Sequence, residues 1–269
     1  MSMISELFKY SELALATYAD LSVGILDDVA IVALQDGGKG MSLTQAQTFA
    51  SHWRVIDQLP NTAEGFAATV FQSIDDNSYV LSIRGTETST IKDGAIDWST
   101  NLGDIGADGV AIEQAIDLFN YYQRLIVRQG EDLVQYAYSH EELNLAEPGG
   151  VIPASINYTI ITATADGELA GKHVTVTGHS LGGHLALIMS RLAPDFVDSV
   201  TTFNAPGFDP ITSSEDTETF FTLLRDAETA ATGSPDIFLI EKNIFDGAKQ
   251  PINRLEDSSS GEVALREVA

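Results

Sequence analysis

Residues 173–184 read His173-Val174-Thr175-Val176-Thr177-Gly178-His179-Ser180-Leu181-Gly182-Gly183-His184. An apolar strand over His173–Thr177 runs into Gly178-x-Ser180-x-Gly182. An apolar helix over Leu181–Leu192 follows, with Pro194 to stop it. A strand that must reverse into a helix within about one residue forces the central serine into a strained conformation. The positions two residues to either side, Gly178 and Gly182, have no room for a Cβ, which is why both are glycine. Such a turn lifts the Ser180 hydroxyl above the sheet edge, at the positive end of the helix. It also aims the Leu181 N–H at the place where a tetrahedral oxyanion would form. Gly178, Gly182 and Gly183 are read as the steric requirements of this elbow, and His179 as a brace behind it.

Outward from the elbow, strands alternate with helices. A strand at Val197–Phe203 follows the elbow helix, then a helix near 215–225 and a strand at Ile237–Glu241. That alternation predicts βαβ units and a parallel sheet. Upstream, Phe66–Gln72 and Tyr79–Ile83 flank the turn-forming Asp75-Asp76-Asn77-Ser78, a hairpin signature. Residues 4–20 carry apolar side chains at helical spacing. Ser42-Leu43-Thr44-Gln45 is a capping box predicted to open a helix through Trp53 to about Leu59. Residues 108–128 form another apolar-striped helix that Gly130 can end. Residues 131–170 are less regular, with a β-rich run at Ile156–Ala163, and are read as an insertion or cap. The tail from Glu256, with its serine run, reads as loop.

Composition excludes several classes of function. The 269 residues carry 14 Lys+Arg against 39 Asp+Glu, a formal net charge of −25. Nucleic acids and anionic membrane surfaces repel such a chain, and its basic residues form no patch. The absence of cysteine leaves no disulfide framework, thiolate metal site or thiol nucleophile. Leu13–Leu34 is interrupted by Asp20, Asp27 and Asp28, short of the roughly 20 apolar residues that a transmembrane helix needs. The first residues lack the basic and apolar regions of a secretory signal. The length fits a single domain over 1–269.

Gly178-His179-Ser180-Leu181-Gly182-Gly183 resembles the nucleophile motif of the class 3 lipases, an α/β-hydrolase group. Ile83-Arg84-Gly85-Thr86 is similar to the family's Phe-Arg-Gly-Thr/Ser segment. Asp97-Trp98-x-x-Asn101-Leu102 and Phe203-Asn204-Ala205-Pro206-Gly207 match stretches that follow in the family. The resemblance spans about 66–250. It implies an α/β-hydrolase with a parallel-rich central sheet, helices on both faces and a lid over 87–107. It implies that Thr86 supplies the second oxyanion donor beside Leu181, and that the reaction is hydrolysis of lipid acyl esters. No cofactor or metal is required by that chemistry. Arg84 is read as a structural ion-pair residue. Trp98 is either core or a lid contact, and Asp93, Asp97, Asp104 and Asp108 are either solvated carboxylates or a calcium site. Gly171-Lys172 before the elbow strand, the acidity and the lack of cysteine resemble bacterial lipases exported with calcium-binding repeats. A secreted setting reached without a signal peptide is therefore favoured over a cytoplasmic one, with Ca2+ an optional partner and a lipid interface met through the lid.

The triad order in this fold is Ser, then Asp or Glu, then His. Asp246, 66 residues after Ser180, is the chosen acid, with Asp236 and Asp209 as alternatives. The base is missing from its place. The five histidines are 52, 140, 173, 179 and 184, and none follows Asp246. His184 is one turn into the elbow helix and should pack toward the sheet; His140 would serve only with a permuted order. The expectation is a chain cut short of its final strand, helix and histidine. Triacylglycerol lipase, phospholipase A1 and acyltransferase chemistry all remain open. The competing reading is an inactive hydrolase-like domain that binds lipid or a protein partner.

Overall fold

The computed structural model describes residues 3–36, 40–85, 111–140, 151–207, 224, 238–243 and 265–268. The chain divides into two compact units. The first takes in Met1–Thr88, Gly171–Pro206 and Gly261–Ala269; the second takes in Ser89–Ala170 and Gly207–Ser260.

In the first unit, helix α1 (Met3–Ala16) is followed by strand β1 (Gly24–Ile25), helix α2 (Asp28–Leu34) and helix α3 (Leu43–His52). Strands β2 (Trp53–Leu59), β3 (Ala68–Ser73) and β4 (Tyr79–Ile83) come next. The capping box at Ser42 forms as expected: Ser42 Oγ accepts the Gln45 N–H while the Gln45 side chain accepts the Ser42 N–H. The helix it opens stops at His52, however, and Trp53–Leu59 is strand, not its continuation. Pairing decides this: Trp53 to Leu59 lie in antiparallel register with Ser73 to Ala68, with a bulge between Val55 and Asp57. The Gln58 side chain then ties the strand to the chain after α1, accepting from Leu21 N at 2.8 Å and donating to the Ala19 carbonyl at 3.0 Å. The expected hairpin is β3–β4, paired antiparallel from Ala68↔Ile83 to Gln72↔Tyr79.

Strand β7 (Val174–His179), helix α5 (Leu181–Leu192) and strand β8 (Val197–Phe203) complete the unit with strand β10 (Leu265–Val268). Seven strands form one sheet in the order β1-β2-β3-β4-β7-β8-β10. It is mixed: β1 to β4 pair antiparallel, whereas β4, β7, β8 and β10 run parallel. The parallel character expected of the whole sheet holds for the half that carries the elbow. The tail read as loop contains β10, in register from Leu265↔Val200 to Val268↔Phe203; backbone pairing with an open sheet edge needs little side-chain signal.

Side-chain alternation puts helices on both faces. Ser82 Oγ donates to the Leu13 carbonyl of α1 and Thr177 Oγ1 lies 3.5 Å from the Tyr10 carbonyl, while a Cβ on the residue after Thr177, Gly178, would meet the Gly182 backbone of α5. On the α1 side a core of Leu13, Leu34, Phe49, Trp53, Val55, Phe71 and Val80 is buried. Phe71 sits edge-on to Phe49 with centroids 5.5 Å apart.

The second unit contains helix α4 (Ile112–Ile126), strands β5 (Asp132–His140) and β6 (Val151–Thr162), and strand β9 (Phe238–Asn243). These strands make a separate antiparallel sheet in the order β5-β6-β9. The region 131–170, expected to be irregular, is thus largely a long β5–β6 pairing from Asp132↔Thr162 to His140↔Ala154. Strand β9, expected in the parallel sheet, pairs with β6 instead; a six-residue strand with three apolar residues carries no information about its partner. Tyr136 of β5 packs on Phe119 of α4, and Asn120 clasps its backbone, donating to the Tyr136 carbonyl at 2.8 Å and accepting its N–H at 2.7 Å. The candidate lid 87–107 lies outside the described residues, as does the helix expected near 215–225 apart from Leu224.

Candidate active site

Strand β7 and helix α5 meet at Ser180, whose backbone has φ 54° and ψ −128°. A non-glycine residue here stores about 1–3 kcal/mol of strain, held only if its surroundings over-determine it. They do. Ser180 N–H donates to the Phe203 carbonyl at the end of β8 at 2.9 Å, and the Ser180 carbonyl accepts from Gly183 and His184 at 2.9 and 3.2 Å. Ser180 stands at the N-cap of α5 but makes no capping bond with its side chain, so Oγ is not committed to the helix. The hydrogen bonds of the helix start at Gly183 and His184, and the Leu181 N–H lies at the orphan N-terminal end with the helix dipole behind it.

The glycines are needed for contact. A Cβ at Gly178 would strike the Gly182 carbonyl; one at Gly182 would strike the Ile83 carbonyl and come within 2.9 Å of Gly85 N; one at Gly183 would lie 2.7 Å from Ala205 Cβ. The elbow is therefore wedged between the ends of β4 and β8. Gly85 completes the wedge from the other side, since a Cβ there would lie 2.5 Å from the His179 carbonyl. Arg84, half-buried beside it, donates its N–H to the Ala67 carbonyl at 3.0 Å. Both segments quoted for the family resemblance, the elbow and the end of β4, thus converge on one point.

Other expected residues fall elsewhere. Thr86, Asp246, Asp236, Asp209, Trp98 and the four lid aspartates lie outside the described residues. His179 is exposed, so its side chain is not the brace behind the elbow; its carbonyl, under Gly85, is what packs. His184 packs inward as expected. It is fully buried, and its Nδ1 lies 3.2 Å from the Pro206 carbonyl, to which it must donate because a carbonyl only accepts. Burial pulls its pKa from 6.5 down to about 4, with the Pro206 hydrogen bond opposing. His184 is thus a neutral structural group. His52 is paired with Asp75 at 2.7 Å next to Trp53, at the end of β2 away from the one aligned with Ile83 and Gly178. His173 precedes β7 and faces Asp198 at 3.6 Å. His140 belongs to the second unit. Among the described residues no group of three or more His, Asp or Glu could hold a metal ion, and no helix is long and apolar enough to cross a membrane.

One neighbour of the elbow has no signal in the sequence. The Tyr18 hydroxyl lies beside Gly85, 2.8 Å from where a Cβ would stand. A tyrosine two residues beyond an apolar helix looks like any other, and only the packing of α1 across the sheet brings it here.

No family model matches the chain, and a search of curated proteins finds no match. Among solved structures it is similar to lipase II from Rhizopus niveus, at 16% identity over 81% of this chain and 68% of that one, with a TM-score of 0.35. It is also similar to Lip2 lipase from Yarrowia lipolytica, at 15% identity over 77% of this chain and 61% of that one, with a TM-score of 0.34. Likeness of that size says nothing about the chemistry of this site. The strained serine between a parallel strand and its helix, wedged by glycines against the neighbouring strand ends, makes the first unit an α/β-hydrolase fold.

Proposed function

We propose that the chain is a serine carboxylic-ester hydrolase of the lipase type, acting on lipid acyl esters, with Ser180 as nucleophile. The observation that supports this most directly is the Ser180 backbone: strain at a non-glycine residue, maintained by contacts from three directions, fits a function better than a turn. In the reaction Ser180 Oγ bonds to the ester carbonyl carbon and passes its proton to a general base, which later gives it to the leaving alcohol, and the carbonyl becomes an oxyanion facing the Leu181 N–H. Thr86 is the second donor in this reading. Collapse breaks the bond to the alcohol, which leaves with a proton, and water then cleaves the acyl-enzyme to the free acid and regenerates Ser180. Asp246 is the proposed acid of the triad. The general base is not one of His52, His173 or His184, whose partners and positions commit them elsewhere. Without a general base, the oxyanion site and binding alone would give about 10³–10⁴-fold over water. The chemistry calls for no cofactor. Triacylglycerol and phospholipid acyl esters are the substrate classes, and an acidic, cysteine-free chain suits secretion.

Hydrolysis of p-nitrophenyl butyrate tests this. The wild-type chain should show a slow rate that disappears in Ser180→Ala. Added imidazole, acting as an external general base, should raise the wild-type rate well above its effect on Ser180→Ala. Equal rates in the two proteins would overturn the reading. Binding of lipid vesicles without any Ser180-dependent turnover would favour the inactive, lipid-binding alternative, for which the commitment of His52, His173 and His184 elsewhere, among the described residues, speaks.

A further inference from the structure

Tyr18 follows α1 by two residues, and its surroundings are built to hold it still. On one side, Thr17 is buried and its Oγ1 donates to Thr69 Oγ1 at 3.1 Å and lies 3.2 Å from the Ser82 carbonyl. On the other, the Ala19 carbonyl accepts from Gln58 Nε2 at 3.0 Å and the Leu21 N–H donates to Gln58 Oε1 at 2.8 Å. Gln58 Nε2 also donates to Thr69 Oγ1 at 2.9 Å, and Ser82 Oγ donates to the Leu13 carbonyl at 3.0 Å. Thr69 and Ser82 are fully buried. One polar network therefore links β2, β3 and β4 to the residues flanking Tyr18. Buried networks that are satisfied in this way rigidify what they hold.

What they hold is the Tyr18 hydroxyl against Gly85. A Cβ at Gly85 would meet both that hydroxyl, at 2.8 Å, and the His179 carbonyl, at 2.5 Å, the last carbonyl before Ser180. Behind it, Gly182 of α5 packs on Ile83, Arg84 and Gly85. The Tyr18 hydroxyl and the His179 carbonyl of the elbow thus crowd the same point beside Gly85. We propose that Tyr18 is a positioning residue of the Ser180 site: its hydroxyl, set against Gly85, fixes the spacing between the end of β4 and the elbow. The oxyanion donors of the proposed reaction belong to these two segments, Leu181 on the elbow and the residue after Gly85 on the other. The inference rests on that reading of Ser180. Displacement of a catalytic group by about 1 Å costs up to about 10²-fold in rate, so a small shift of this segment would act on turnover before it acts on folding.

The test is Ser180-dependent hydrolysis of p-nitrophenyl butyrate in imidazole buffer, with Ser180→Ala subtracted. It compares the wild-type chain, Tyr18→Phe, and a chain with 4-aminophenylalanine at position 18. Tyr18→Phe keeps the ring and removes the polar group. It should lose about tenfold or more in kcat with KM and melting temperature little changed. The amino analogue restores a hydrogen-bonding group at the same point and should recover most of the lost kcat. Wild-type kcat in Tyr18→Phe overturns the inference while leaving Ser180 intact. So does a loss that appears in KM alone, or one the amino analogue fails to recover. If the wild-type chain shows no Ser180-dependent rate, the reading of Ser180 falls and this inference falls with it.

Discussion

The buried histidine behind the elbow makes the fold sensitive to acid in a calculable way. His184 is protonated in the unfolded chain below its ordinary pKa of 6.5, but in the folded chain only below about 4, because burial penalises the cation. Between those values the unfolded state binds one more proton than the folded state, so stability falls as the pH is lowered. At about 1.4 kcal/mol per pH unit, the interval amounts to about 3 kcal/mol lost between pH 6.5 and pH 4. That is a large part of the roughly 5–15 kcal/mol that holds a domain together. The carboxylates with shifted pKa values act differently. Asp76, held down to about 2 by hydrogen bonds from Ser78 and Ser73, contributes stability that is lost only as pH falls from its ordinary value of 3.8 toward 2. Glu12, raised by burial, gains stability as the pH falls. The measurement is urea unfolding of the wild-type chain and His184→Asn at several pH values from 7 to 4. The asparagine amide keeps a donor for the Pro206 carbonyl and does not titrate. His184→Asn should be less stable at pH 7, since a buried ring is lost, and the gap should close by about 3 kcal/mol toward pH 4. Parallel curves for the two proteins would refute the argument.

Three further outcomes follow from the geometry. Ser180→Gly should raise stability by about 1–2 kcal/mol in urea unfolding, because glycine accepts φ 54° without strain, while abolishing hydrolysis. Gly182→Ala should cost about 1–3 kcal/mol or more by the same measurement and remove Ser180-dependent turnover, since its Cβ meets the Ile83 carbonyl. Ser42→Ala, which breaks the capping box of α3, should cost about 1 kcal/mol and leave the ester hydrolysis rate unchanged, as the cap stands away from the elbow.

Local chemistry was legible in the chain, and partnerships were not. Gly178, Ser180, Gly182 and Gly183 announce the elbow because a strand-to-helix reversal admits few residue types, and α5 and β8 begin and end where their residues predict. The Ser42–Gln45 box likewise marks the start of α3, since a cap involves only residues a turn apart. The end of that helix was hidden. Trp53–Leu59 is apolar enough for either state, and β3 and the Gln58 hydrogen bonds make it strand. Strand β9 was recognised as a strand but joins β6 in the second unit, because its residues bear no mark of which edge they will meet. Strand β10 was missed for the same reason. The site divides along that line. The proposed nucleophile, Ser180, and the Leu181 N–H beside it are properties of one turn, so the sequence alone determined their place. That Gly85 faces the His179 carbonyl, that Tyr18 stands beside it, and that His184 is buried and neutral depend on chain segments brought together from far apart. Those contacts exist only once the sheet has chosen its order, and the tertiary structure alone decided them.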